Sequence, residues 1–339
     1  MSQVWLWVVF NIFVLGMLAV DLGVFNRKAH IISVKEASRW TMVVVTAAVI
    51  FNLGIFRFQG TQPGLEFLVG YLIELALSVD NIFVFILIFS YFRVPRQYQH
   101  RVLFWGIFGA LLMRGAMIGA GALLIERFEW IIYLFGAFLV FTGIRMATQD
   151  EAAIEPESNP VLKLLRRYMP VSPSYEGQKF FTRILTGGVT RRAATPLFVV
   201  LILVETTDLV FAIDSIPAIF AVTRDPFLVY TSNVFAILGL RSMYFLLAGV
   251  IDKFHYLKLG LAVVLVFVGV KMLITYLELH IPTLLSLAVV AGVLGASVVA
   301  SLIFPQKPEL DVLPGDDPAP PPIDVVAPRP DDDENQAAS

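Results

Sequence analysis

The sequence predicts an all-α, polytopic membrane protein of about nine transmembrane helices arranged around an inverted repeat of three helices plus three. Three observations carry this expectation. Of 339 residues, 58% are hydrophobic and only 15% are charged. Apolar stretches bounded by charges, Gly or Pro reach the roughly 20 residues that a bilayer crossing needs. Two segments in the middle of the chain also repeat one another. The chain contains no cysteine, which excludes disulfides, thiolate metal ligation and dithiol redox chemistry by its own side chains.

The start, MSQVWLWVVFNIFVLG, has no basic leader and no small-residue cleavage site, so it reads as a retained first helix. Helices are expected near 4–25, 38–56, 65–91, 102–125, 129–148, 196–222, 228–252, 256–279 and 283–304. The implied organisation is 1–64 as two N-terminal spans, 65–148 as the first three-helix repeat, 149–194 as a cytoplasmic linker and 195–279 as the second repeat. A last span covers 280–304, and 305–339 is a disordered acidic, proline-rich tail. The linker carries Pro156, Pro160, Pro170 and Pro173 and reads as a solvated connector with a short basic helix around Val161 to Tyr168, a surface role near anionic lipid being the alternative. Nine of the 27 acidic residues follow Phe304, against only Lys307 and Arg329, so the rest of the chain is net basic.

Lys and Arg alternate between loops. Arg27, Lys28, Lys35 and Arg39 follow the first helix, and Arg93, Arg96 and Arg101 follow the third. Seven more lie between Lys163 and Arg192, and Lys253 and Lys258 follow the seventh helix. The intervening loops are poor in both. Positive-inside bias then puts the N-terminus outside and the tail in the cytoplasm.

The duplication rests on three matches in order. Glu74-Leu-Ala-Leu-Ser-Val-Asp80-Asn81-Ile82 matches Asp208-Leu-Val-Phe-Ala-Ile-Asp214-Ser215-Ile216. GALLMR ending at Arg114 matches AILGLR ending at Arg241, and Phe128 to Met146 aligns without a gap on Phe254 to Met272. The repeats begin an odd number of helices apart, so equivalent helices run in opposite directions, an arrangement that brings substrate to the midplane where the repeats meet.

Glu74, Asp80, Glu205, Asp208 and Asp214 lie inside apolar stretches, and Asp21 sits toward the end of the first helix. An ionised side chain at the bilayer centre costs roughly 2.5–3.5 kcal/mol on insertion scales, so these acids need a cation, a proton or a partner. At 100° per residue, Glu74, Ser78 and Asn81 share one helix face and Glu205, Asp208 and Ser215 another, while Asp80 and Asp214 lie about 120° from their partners six residues earlier. Pro217 cannot donate to the carbonyl of Ile213, which predicts a broken sixth helix beside Asp214. Carboxylates, Asn, Ser and backbone carbonyls are hard oxygen ligands suited to Mn²⁺, Mg²⁺ or Ca²⁺. The metal candidates are therefore Glu74, Asp80, Asn81, Glu205, Asp208, Asp214 and Ser215. Arg114, Arg241 and Asp21 are candidates for gating or structural ion pairs. Facing aspartates also suit an intramembrane aspartyl protease, but its Gly-rich motifs are missing and the further acids would be unexplained, so no catalytic residue is assigned and no enzyme is expected.

At VGYLIELALSVDNIFVF, VLILVETTDLVFAIDSIPAIFAVT and TSNVFAILGLRSMYFLLAG the sequence closely resembles the TerC family, and within it the Alx-like branch, over roughly residues 4–304. The resemblance implies metal-ion homeostasis, chiefly Mn²⁺ export, and kinship with LysE-type exporters. It carries over Glu74, Asp80, Glu205, Asp208 and Asp214, with Asn81 and Ser215 beside them. Mn²⁺ is then a transported substrate and no resident cofactor is expected. The expected partners are a divalent metal ion and the lipid bilayer, with no nucleic acid. Export by proton exchange is one expectation, and a membrane scaffold or metal-loading factor for other proteins is the alternative.

Overall fold

A computed structural model describes residues 3–20, 32–148, 160–186, 189–248, 255–275 and 281–304. They form, in order, α1 (Gln3–Val20), α2 (Val34–Phe58), α3 (Thr61–Tyr91), α4 (Arg96–Arg127), α5 (Ile131–Thr148), α6 (Pro160–Tyr168), β1 (Phe181–Thr186), β2 (Val189–Ala194), α7 (Pro196–Phe220), α8 (Pro226–Leu247), α9 (His255–Ile274) and α10 (Thr283–Ile303). Asp21 and the tail expected to be disordered lie outside the described residues.

Seven of these helices, α2, α3, α4, α5, α7, α9 and α10, are long and apolar enough to cross a membrane. Their outward faces expose Met42, Ile50, Leu53, Leu112, Phe141 and Leu284, as a chain solvated by hydrocarbon requires. Two further helices on the expected spans, α1 and α8, are not among the seven. The apolar part of α1 is short, Val4–Val20. The α8 helix is diluted by Thr231, Ser232, Asn233, Arg241 and Ser242, all buried. It packs against α2, α3 and α4, so its polar groups meet protein.

Local chemistry sets the helix starts. Ser33 caps α2, its hydroxyl accepting from the Glu36 amide with Glu36 three residues on, a pairing that moves the start ahead of the expected residue 38. Asp225 accepts from the Phe227 amide at 2.9 Å and Pro226 opens α8. Gly60, with φ of 106°, takes the chain from α2 into α3 through a conformation closed to most side chains.

The expected break at Pro217 does not occur. Helix α7 runs unbroken from Pro196 through Asp214 and Pro217 to Phe220. Pro217 falls in the last turn, where the only bond it forfeits is to the Ile213 carbonyl, and the helix ends three residues later.

Two helices of the expected repeats, α5 and α9, lie backbone to backbone. A Cβ added at Gly269 would come within 2.7 Å of the Gly136 carbonyl oxygen, and one at Gly143 within 2.8 Å of the Ala262 carbonyl oxygen. Only glycine permits that approach. The α3 helix packs on α8 and α4 packs on α7, with α3·α7 and α4·α8 contacts completing a central group of four.

Of the expected linker, 149–159 and 187–188 lie outside the described residues; the rest holds the expected short helix as α6 but packs on the helices rather than standing as a solvated connector. Leu162 of α6 is 1% exposed in an apolar cluster with Ile88, Val102 and Leu197. The β1–β2 hairpin, which alternation in the sequence did not reveal, pairs antiparallel with Phe181 opposite Ala194. Tyr175 donates to the Phe92 carbonyl at 2.7 Å, and burial pushes its hydroxyl pKa up, so the proton stays on the donor. Arg101 donates to Gln178 Oε1 at 3.3 Å and lies over the Phe180 ring.

Candidate functional site

The central four helices converge on one guanidinium. Arg114 of α4 donates through Nη1 to Glu74 Oε1 of α3, and also reaches Ser215 Oγ of α7 and Asn233 Oδ1 of α8, each at 3.2 Å. Its Nε and Nη2 form a two-pronged bond to Asp208 of α7, at 3.3 and 3.1 Å. Arg114 is 2% exposed, Glu74 0% and Asp208 5%. Two acidic side chains thus share one guanidinium out of reach of solvent, a geometry that suits its planar fork.

The spacing argument accounts for much of this convergence. Glu74, Ser78 and Asn81 are all buried on one face of α3. On α7, Asp208 and Ser215, two turns apart, both meet Arg114. Glu205 lies one turn before Asp208, and its carboxyl rests against Gly109 of α4, where any Cβ would overlap it. Asp208 is within electrostatic reach of Glu205. Asp80 and Asp214 stand apart from the Arg114 network and are half-buried, with Asp214 in electrostatic reach of Asp80 and Arg145. Arg241 is buried in α8.

Several buried polar atoms here meet no protein partner: Glu74 Oε2, Ser78 Oγ, both side-chain polar atoms of Asn81, Glu205 Oε2 and Asn233 Nδ2. Four of these six are oxygens. Burying a polar atom without a hydrogen bond is costly, so atoms concentrated in this way call for water or a ligand. Among the described residues no three His, Asp or Glu side chains converge on a ready-made metal site. Arg114 lies between the two most buried acids instead.

Three participants were not assigned from sequence. Asn233 had a signal, the polar run Thr231-Ser232-Asn233 inside an apolar helix. Arg145 had one in its place at the end of the duplicated α5 segment. Gly109 had none, because an isolated helical glycine does not say which side chain will cross it.

Residues 59–309 match the model of the integral membrane protein TerC family. The chain belongs to the TerC family. Every site residue described here falls within that TerC match. Among similar proteins, an uncharacterized membrane protein of Myxococcus xanthus is 55% identical over 299 residues, covering 88% of this chain and 92% of that protein. Proteins named Alx, for a proposed membrane-bound redox modulator, are also similar. The one from Escherichia coli is 49% identical over 298 residues, covering 85% of this chain and 91% of its own length. The one from Salmonella typhi is 48% identical over 303 residues, covering 87% and 92%. No solved structure matches the chain.

Proposed function

We propose that this TerC-family chain is a secondary transporter that exports a divalent metal cation, Mn²⁺ first among candidates, from the cytoplasm across the bacterial inner membrane. The observation that carries the reading is the Glu74–Arg114–Asp208 cluster, whose acids lie on helices α3 and α7 that also bury the unsatisfied oxygens of Glu74, Ser78, Asn81 and Glu205. Arg114 acts as a tethered counter-cation that holds the unloaded carrier close to neutral. An arriving metal ion displaces it from the acids, and Asp80, Asn81, Glu205, Asp214 and Ser215 supply further oxygen ligands as the helices adjust. The donors are hard oxygens, which favours Mn²⁺, Mg²⁺ and Ca²⁺ over softer metals. Protons taken up by the same carboxylates on the return step couple export to the proton gradient.

The reading includes nine spans, an outside N-terminus and an inverted repeat. Reciprocal contacts support the repeat. Under the alignment of Phe128 on Phe254, Gly136 corresponds to Ala262 and Gly143 to Gly269. Gly136 meets Gly269, and Gly143 meets Ala262, as a two-fold axis between α5 and α9 requires. The α3·α8 and α4·α7 packings are likewise exchanged by that axis. The redox role in the relatives' name has no thiol to work through in this chain, and altered metal supply would produce redox phenotypes indirectly.

The test of the binding site is titration of Mn²⁺ into the purified protein, with Ca²⁺ and Mg²⁺ as competitors. Mn²⁺ should bind to wild type and fail to bind to Asp80→Asn/Asp214→Asn. Equal binding by both proteins removes those acids from the site, and no binding by wild type favours the scaffold role.

A further inference from the structure

We propose that the β1–β2 hairpin is a binding site for the phosphate headgroup of an anionic phospholipid at the membrane surface where α7 begins. This inference is independent of the transport reading. Between residues 160 and 194 the chain carries Lys163, Arg166, Arg167, Lys179, Arg183, Arg191 and Arg192 against a single acid, Glu176. The strand register sets Arg183 directly opposite Arg192, and both are exposed. Directly opposed residues share a face of the sheet with closely spaced Cβ atoms, and like charges in that position repel. No carboxylate among the described residues forms an ion pair with either arginine. The hairpin therefore sets two arginines of like charge directly opposite one another, an arrangement relieved by an anion with several acceptor oxygens.

One of the two side chains is held in position. The Arg192 guanidinium lies 4.4 Å from the Phe181 ring centroid, and Phe181 packs on Phe198 in the first turn of α7, centroids 4.5 Å apart. The β2 strand enters α7 through Thr195 alone, and α7 is long and apolar enough to span the membrane. The arginines accordingly sit at headgroup depth rather than out in solution. Helix α6 adds the second mark of a lipid surface. It buries Leu162 against the protein yet exposes Val161 and Leu164 beside Lys163, so apolar and basic side chains meet the same interface.

The experiment follows thermal unfolding of the full-length protein in a neutral detergent while short-chain phosphatidylglycerol, phosphatidylcholine or inorganic phosphate is titrated in. Phosphatidylglycerol should raise the midpoint, and the other two should not. In Arg183→Gln/Arg192→Gln the apparent affinity for phosphatidylglycerol should fall by roughly five-fold or more, and Arg183→Lys/Arg192→Lys, which keeps the charge without the fork, should fall between that variant and wild type. Because the substitutions also change the Arg183–Arg192 repulsion and the Arg192–Phe181 contact, each response is read against the variant's own lipid-free midpoint; if the glutamine variant is lost to misfolding, the single Arg183→Gln protein gives the same readout. Equal responses in wild type and variant, a response matched by inorganic phosphate, or no response to phosphatidylglycerol would each overturn the proposal.

Discussion

The α5–α9 seam and the α3–α4–α7–α8 centre are both built at close range, but from opposite materials. At the seam, glycines bring main chain against main chain, with Gly136 on Gly269 and Gly143 on Ala262. Nothing there can exchange partners without the helices separating. At the centre, one arginine bridges two acids on separate helices, and the same helices bury oxygen atoms without protein partners. Each contact there can be replaced by water, a proton or a metal ion. The difference separates a fixed axis from a replaceable contact set, which is what a carrier needs if its halves rock while cargo changes hands.

Substitutions can break or sharpen that contrast. The largest effect is expected from Arg114→Gln, which leaves Glu74 and Asp208 buried without their cation. It should cost about 3–5 kcal/mol in stability and abolish flux, as read by thermal unfolding and vesicle transport. A stable, active Arg114→Gln protein would mean that the centre is not held by charge. Next, Gly269→Ala drives a methyl group into the Gly136 carbonyl and should destabilise by about 1–3 kcal/mol, with flux per folded molecule retained. Loss of flux without loss of stability would mark the seam as moving. Asp80→Asn and Asp214→Asn, at half-buried positions, should change stability by only about 1 kcal/mol while stopping transport. The smallest effect is expected from Gly109→Ala, which pushes the Glu205 carboxyl off α4. Because a flexible side-chain end can move, the stability cost should stay below about 1 kcal/mol, with reduced Mn²⁺ affinity measured by titration.

The helices and the acids were legible because burying charge in a long apolar run is costly enough to stand out. Helical spacing put Glu74 with Ser78 and Asn81, and Asp208 with Ser215, on shared faces, and the internal repeat drew attention to Arg114. Spacing within one helix could not reveal that a single guanidinium would take both Glu74 and Asp208, since that depends on how α3, α4 and α7 cross. Pro217 misled because its distance from the helix end decides whether a lost hydrogen bond breaks the helix or merely ends it. Between 160 and 194 the short basic helix α6 was legible, but the packing of the segment and its hairpin were not, because the anchors Leu162, Tyr175 and Phe181 are too few to form a period.

The central claim, that the buried acids carry a divalent cation across the membrane, is tested most directly by Mn²⁺ uptake into inside-out vesicles containing the purified protein, with Ca²⁺ and Mg²⁺ as competitors. Wild type should accumulate Mn²⁺, and Asp80→Asn and Asp214→Asn should not. Absence of divalent-ion movement by wild type, with or without a pH gradient, would contradict the claim.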